Sequence, residues 1–430
     1  MSIRDDTEED RLRYGVKDVA RRAFLRSGAA ALGLGLTAAG LGPTAGLGQA
    51  RRAELAAWTL PEDPDQLFQL GQFVAADRGY AAELRRDPGA AHAWAQRGYI
   101  ALLDNRLADA ERFLGTAIRL APADRLSMSR LADCYVRQDD YVRAVPLLRE
   151  AGDPIGATQY GVVRGRPFQL AGTSRAALPF RTLDPLPSVE AAVNGRSAVF
   201  TLDTGATFTF SAALARAAGV RALATVVVNH GNGPFTSYVG VVGSLRLGGI
   251  ELRNIPVLWD DTSPDVIGTT IFYHLRATMD YARRALLLSR PSTSPPPMPG
   301  AGAAPLWLAP DHFVFSSGTV GHAGPGPVLI DTGGAGLGVV LTPAQASGAG
   351  VVPDYARPRT DFGVTVYPCT AGVAIGGMPR RDVPGVVGPI PSPVEFGFGS
   401  LGTISHQYFK PLAVTFDFVR MTLVTHPDTL

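Results

Sequence analysis

The sequence predicts a multidomain chain: an N-terminal all-α region, then two strand-rich β lobes related by pseudo-twofold symmetry. Three observations lead there. Asp203-Thr204-Gly205 recurs 128 residues later as Asp331-Thr332-Gly333. The same offset carries Gly248-Gly249 onto Gly376-Gly377, Arg253 onto Arg381 and Pro256 onto Pro384, which marks a duplicated structural unit. Upstream, residues 66–151 carry small and large apolar residues at helical spacing.

Composition narrows the classes of function. With 46% hydrophobic and 18% charged residues, the 430-residue chain is globular, with length for two or three domains. A net charge of +2 gives no support to nucleic-acid binding. The abundance of glycine and proline favours turns and short strands in much of the chain. Cys134 and Cys369 fall in different predicted domains, which argues against a disulfide.

Residues 1–50 read as a targeting segment. Arg21-Arg22-Ala23-Phe24-Leu25-Arg26 resembles a twin-arginine export signal. An uncharged, weakly apolar run follows from Ser27 to Ala50, and Gly48-Gln49-Ala50 offers small residues for cleavage before Arg51. The protein is therefore expected to be exported, periplasmic or extracellular, with no stable membrane span once the signal is cleaved. A retained anchor is the alternative on length, although Pro43 and the many glycines disfavour a membrane helix.

After a spacer, Trp94, Gly98, Ala101, Ala110, Leu114, Ala117 and Pro122 fall at the spacing of one tetratricopeptide repeat. A shift of 34 residues gives Met128, Ala132, Tyr135, Ala144, Leu148 and Ala151; the reverse shift gives Leu67, Ala76, Tyr80 and Pro88. The small residues let paired helices approach closely, and Pro122 ends a helix. An ordinary helical bundle is the competing reading. Such repeats commonly bind peptides or proteins, so a substrate or protein partner is expected there.

The first β lobe spans 175–290. Residues 291–305, rich in Pro, Ser, Gly and Ala, form a stiff linker in which no strand is expected. The second lobe spans 306–426. Each Asp-Thr-Gly follows an apolar strand, Ala198–Leu202 or Val328–Ile330, which holds a carboxylate at a domain face. Gly205 and Gly333 allow close backbone approach, and the hydroxyls of Thr204 and Thr332 can lock the two turns together. Helix-like segments follow at Ser211–Ala218 and Thr342–Gly348. An apolar-apolar-Gly element comes next, Val266-Ile267-Gly268 in the first copy and Ser400-Leu401-Gly402 in the second. Thr278-Met279-Asp280-Tyr281 and Thr415-Phe416-Asp417-Phe418 close the copies.

On these motifs the chain resembles the retropepsin-like aspartic proteases of the pepsin superfamily. The likeness is close over 180–290, through Val193-Asn194-Gly195, Leu202–Thr207, Leu245–Gly249, Val266-Ile267-Gly268 and Asp280-Tyr281, and looser over 306–425. It implies a closed, mainly antiparallel β lobe per copy, with the active site between lobes. The second copy departs from the pattern at Gly334-Ala335-Gly336. About three extra residues precede Thr342, and the step from Gly402 to Asp417 is three longer than its counterpart.

The resemblance implies hydrolysis of peptide bonds by an Asp203/Asp331 dyad, with no metal or cofactor. Two carboxylates about 3 Å apart share one proton, so one acts as base on a water and the other as acid toward the scissile carbonyl. The expected substrate is a peptide or unfolded protein. Asn229–Gly233 is a hairpin tip suited to a flap over the cleft, bringing Gly231, Gly233 and Tyr238 into view; ordinary strand packing is the plainer role for Tyr238. Asp361-Phe362-Gly363 is a candidate second flap. His230, His274, His312, His322 and His406 share no ligand spacing and read as structural or surface residues. Two alternatives stand beside the single-chain endopeptidase: a non-catalytic peptide- or protein-binding scaffold, and a homodimeric protease using Asp203 only.

Overall fold

Small residues determine how closely the N-terminal helices pack. In the computed structural model, which describes residues 62–229, 234–292, 300–361, 363–390 and 395–427, helices run Pro64–Gln69, Phe73–Arg86, Ala91–Leu103, Leu107–Leu120, Arg125–Val136, Tyr141–Ala151 and Pro154–Gly161. A Cβ on Gly98 would lie 2.6 Å from Leu114 Cγ, so the bare backbone there lets two successive helices touch. Ala76, Ala101, Ala110, Ala117, Ala132 and Ala144 are wholly buried at the predicted contact positions. Asp63, Asp124, Asp140 and Asp153 cap helix starts with their side chains, satisfying backbone N–H groups that lack helical partners. The proposed export segment, 1–50, lies outside the described residues.

The remaining chain is β-rich. Its first half folds on a seven-stranded sheet in which Ser188–Val193 pairs antiparallel with Arg196–Asp203. Alternate residues Val189, Ala191 and Val193 are buried with Phe200 and Leu202 in one apolar core, as a half-buried strand requires. The strand ending at Asp203 runs parallel to Val266–Gly268, with Asp203 opposite Gly268. In the second half the strand Ala323–Asp331 runs parallel to Thr403–Ser405, with Asp331 opposite Ser405.

A second set of strands joins the halves. Its order is Arg175–Pro179, Ala285–Ser289, Arg276–Asp280, Leu412–Asp417, Thr422–Pro427 and Gly302–Leu308, three strands from each half. At its centre Thr278 faces Thr415, and the two hydroxyls are 2.7 Å apart. Nearby, buried Arg276 donates to Asp417 at 2.9 Å.

Four expectations need correction. The apolar element of the second copy is Thr403-Ile404-Ser405, not Ser400-Leu401-Gly402, because Ser405 is the residue paired with Asp331. On that register the step to the closing aspartate is twelve residues in both halves, Gly268 to Asp280 and Ser405 to Asp417, and the apparent three-residue excess disappears. The linker expected over 291–305 is shorter at its end, since Gly302–Pro305 pairs with Thr422–Thr425; the carbonyl of Pro305 accepts from Ser316 Oγ at 2.8 Å. The first half also begins before residue 175, with Gln169–Gly172 pairing to Ile250–Arg253.

The larger difference between the halves is an insertion. Six residues, 260–265, separate Ile250–Trp259 from Val266–Gly268, whereas fifteen, 388–402, separate Met378–Val387 from Thr403–Ser405. The longer segment carries Phe396 and Phe398 onto the helices. Phe398 packs edge-on against Phe73 at 5.0 Å and Phe315 at 5.1 Å, and Phe73 also meets Trp307 at 5.0 Å. Tyr99 donates its hydroxyl to Phe396 O at 3.0 Å, and Gly399 N donates to Gln69 O at 2.8 Å. The side chain of buried Arg137 adds a bond to Leu308 O at 3.0 Å. Helices and second half thus share one aromatic core.

Candidate active site

The two Asp-Thr-Gly turns meet back to back. Thr204 Oγ1 donates to Ile330 O at 2.9 Å and accepts from Thr332 N at 3.1 Å. Reciprocally, Thr332 Oγ1 donates to Leu202 O at 3.2 Å and accepts from Thr204 N at 3.0 Å. Both threonine side chains are wholly buried, so these four bonds form away from competing water. The cross-bonding expected of the two hydroxyls is therefore present.

Each glycine makes room for the opposite carboxylate. A Cβ on Gly205 would lie 2.5–2.7 Å from the carboxyl atoms of Asp331, and one on Gly333 would come within 2.5 Å of those of Asp203. Each glycine also donates its backbone N–H to the aspartate of its own turn, Gly205 to Asp203 Oδ1 at 2.7 Å and Gly333 to Asp331 Oδ1 at 2.9 Å. The two carboxyl groups lie within hydrogen-bonding reach of each other. Burial first, then the Asp331 carboxylate, push Asp203 up to about 7.

The glycine-rich second turn has a packing reason. A Cβ on Gly334 would lie 2.4 Å from Ser405 Oγ, which instead accepts from Gly334 N at 3.0 Å. In the first turn the sizes are exchanged: Ala206 stands where the second has Gly334, and Gly268 where the second has Ser405. A Cβ on Gly268 would meet Ala206 O at 2.0 Å. The departure from the expected pattern is thus matched by a compensating change on the neighbouring strand.

The candidate flap is a hairpin of Ala224–Asn229 with Pro234–Leu247. Its tip, including Gly231 and Gly233, lies outside the described residues. Tyr238 sits on the returning strand opposite Trp259, with ring centroids 5.8 Å apart, and packs against the core of the first half. Helix Pro154–Gly161 packs against this hairpin. In the second half Arg359–Asp361 pairs with Val364–Val366; Phe362 lies outside the described residues.

Sequence reasoning missed His312. Read as a structural or surface residue, it lies in the turn between Gly302–Leu308 and Val314–Val320 and reaches the first Asp-Thr-Gly turn. Its Nε2 is 3.0 Å from Gly205 O, its Nδ1 is 2.9 Å from Asp311 Oδ2, and its ring stacks on Phe313 at 4.2 Å. No spacing signal points to it, because the contact spans 107 residues. Burial, the largest single effect, lowers the imidazole, but Asp311, the Gly205 carbonyl and Asp203 together outweigh it and the net shift is upward.

A model of the aspartyl protease family matches residues 189–270, a stretch that contains Asp203 and stops before Asp331. No curated protein matches the chain. Among solved structures, the aspartic proteinase from Irpex lacteus is 12% identical, with a TM-score of 0.39, covering 59% of this chain and 97% of that one. Residues 189–270 are what this chain shares with the aspartyl protease family.

Proposed function

We propose that the chain is an aspartic endopeptidase whose two lobes, related by pseudo-twofold symmetry, bring Asp203 and Asp331 into one dyad. The observation that carries this reading is the reciprocal fit of the two turns, in which each glycine leaves space for the other's carboxylate. Two adjoining carboxyl groups that share a proton supply both roles that peptide hydrolysis needs. The ionised member takes a proton from a water, which attacks the scissile carbonyl. The protonated member donates a hydrogen bond to that carbonyl oxygen and stabilises the negative charge of the tetrahedral intermediate. Roles are not assigned to individual residues, because such a pair titrates as a unit. The match to the aspartyl protease family supports a hydrolase of this class.

The helical region is proposed to be a set of tetratricopeptide repeats that hold a substrate or protein partner, and residues 1–50 to be an export signal. No helix among the described residues is long and apolar enough to cross a membrane. The test is cleavage of an unstructured protein between pH 3 and 7 by wild type, Asp203→Asn and Asp331→Asn, mapped by mass spectrometry. Loss in both variants is the expected result. Loss in Asp203→Asn alone would indicate a homodimer of first lobes, and no cleavage by folded wild type would indicate a peptide-binding scaffold.

A further inference from the structure

We propose that Asp311 and His312 form a positioning device for the first catalytic turn, holding a doubly protonated imidazole against the Gly205 carbonyl and making Asp203 electrically unlike Asp331. The inference rests on the dyad reading above. Its physical basis is the set of atoms around one ring. Gly205 O is a carbonyl and only accepts, so Nε2, 3.0 Å away, donates. Nδ1 faces a carboxylate oxygen of Asp311 at 2.9 Å, and that carboxylate is 57% exposed and free to stay ionised, so Nδ1 donates too. Two acceptors facing two ring nitrogens require two N–H groups, which is the imidazolium form.

The charges around this ring are asymmetric. Asp311 lies on its own turn and Asp203 faces it from the first half. From the helical region, Arg137, Asp133 and Tyr160 interact with Asp311. Arg137 also bonds the hairpin directly at Leu308 O, so the helices hold the turn that carries His312. The 128-residue offset that relates the two Asp-Thr-Gly turns takes His312 back to Asp184. That residue carries the opposite charge, bonds Lys410 Nζ at 2.7 Å and lies 3.5 Å from Nε2 of the buried His406, whose imidazole burial pushes down toward the neutral form. A cation therefore rests on the Asp203 turn, while the position related to it by the offset holds a carboxylate facing Lys410 and His406. An imidazolium near Asp203 favours its ionised form, which opposes the effects of burial and of Asp331.

Full-length protein tests this in two ways. Ring nitrogen and carbon shifts followed by NMR from pH 4 to 9 report the charge on His312. The midpoint is expected above the ordinary histidine value near 6.5, and Asp311→Asn should lower it by about one unit or more. His312→Gln keeps a donor for Gly205 O without the charge. It is expected to move both limbs of the kcat/KM profile upward by about half a unit while leaving the fold intact. A His312 midpoint at or below about 6.5, or an unmoved profile in His312→Gln, would overturn the proposal. If wild type cleaves nothing, the endopeptidase reading fails separately. The carboxyl carbon shifts of Asp203 and Asp331 in wild type and His312→Gln then decide the electrostatic claim by the same upward displacement.

Discussion

Replacing Thr204 by valine tests the interlocked turns with almost no change in volume. The hydroxyl lost is wholly buried, donates to Ile330 O at 2.9 Å and accepts from Thr332 N at 3.1 Å. An orphaned buried N–H costs about 1–3 kcal/mol and the missing bond to the carbonyl about 1 kcal/mol more, so Thr204→Val should destabilise by about 2–4 kcal/mol. Thr332→Val removes the reciprocal pair, including the longer 3.2 Å bond to Leu202 O, and should fall toward the lower end of that range. Since the two hydroxyls belong to one network, the double variant should cost less than the sum of the singles by about 0.5–3 kcal/mol. Urea unfolding followed by tryptophan fluorescence, with parallel slopes for all four proteins, gives these values. A midpoint unchanged in Thr204→Val, or strict additivity in the double variant, would show that the turns do not support one another as described.

Gly334→Ala should destabilise by about 1–3 kcal/mol through overpacking on Ser405, and adding Ser405→Gly should restore much of the loss by recreating the Ala206/Gly268 arrangement of the first turn; thermal melts of the two variants check this. For Asp203 the native pKa lies above the unfolded one, so the native state binds more protons between about pH 4 and 7 and stability falls as pH rises through that window. Asp203→Asn should therefore match wild type near pH 4 and exceed it at pH 8, by about 4 kcal/mol, when urea midpoints are compared. Phe398→Ala opens the aromatic contact with Phe73 and Phe315 and should cost about 2–4 kcal/mol, with protease sensitivity rising between the helices and the second half.

What the sequence made legible was periodic or repeated. The 34-residue spacing identified positions such as Ala110 and Leu114, because helices that touch need small and large residues in fixed places. The repeated tripeptide identified both carboxylates and both threonines, because two turns that bond each other reciprocally need the same residues on each side. Illegible were changes that act in compensating pairs. Gly334 departs from the pattern in the sequence and is explained only by Ser405 beside it, and Gly402 resembles Gly268 by composition although strand register pairs Ser405 with Asp331. His312 was hidden for another reason: its partner is a backbone carbonyl, and a carbonyl leaves no mark in a sequence.

The unequal lengths of 260–265 and 388–402 have a consequence for how such a molecule can change. In an assembly of two identical chains every substitution is written twice, so neither face of the cleft can alter alone. Here one half carries an aromatic loop that grips the helices, while the corresponding segment of the other is short. Joining the copies in one chain frees each from mirroring the other. It also makes the pairing of Asp203 with Asp331 a matter of folding rather than encounter, independent of how dilute the protein becomes.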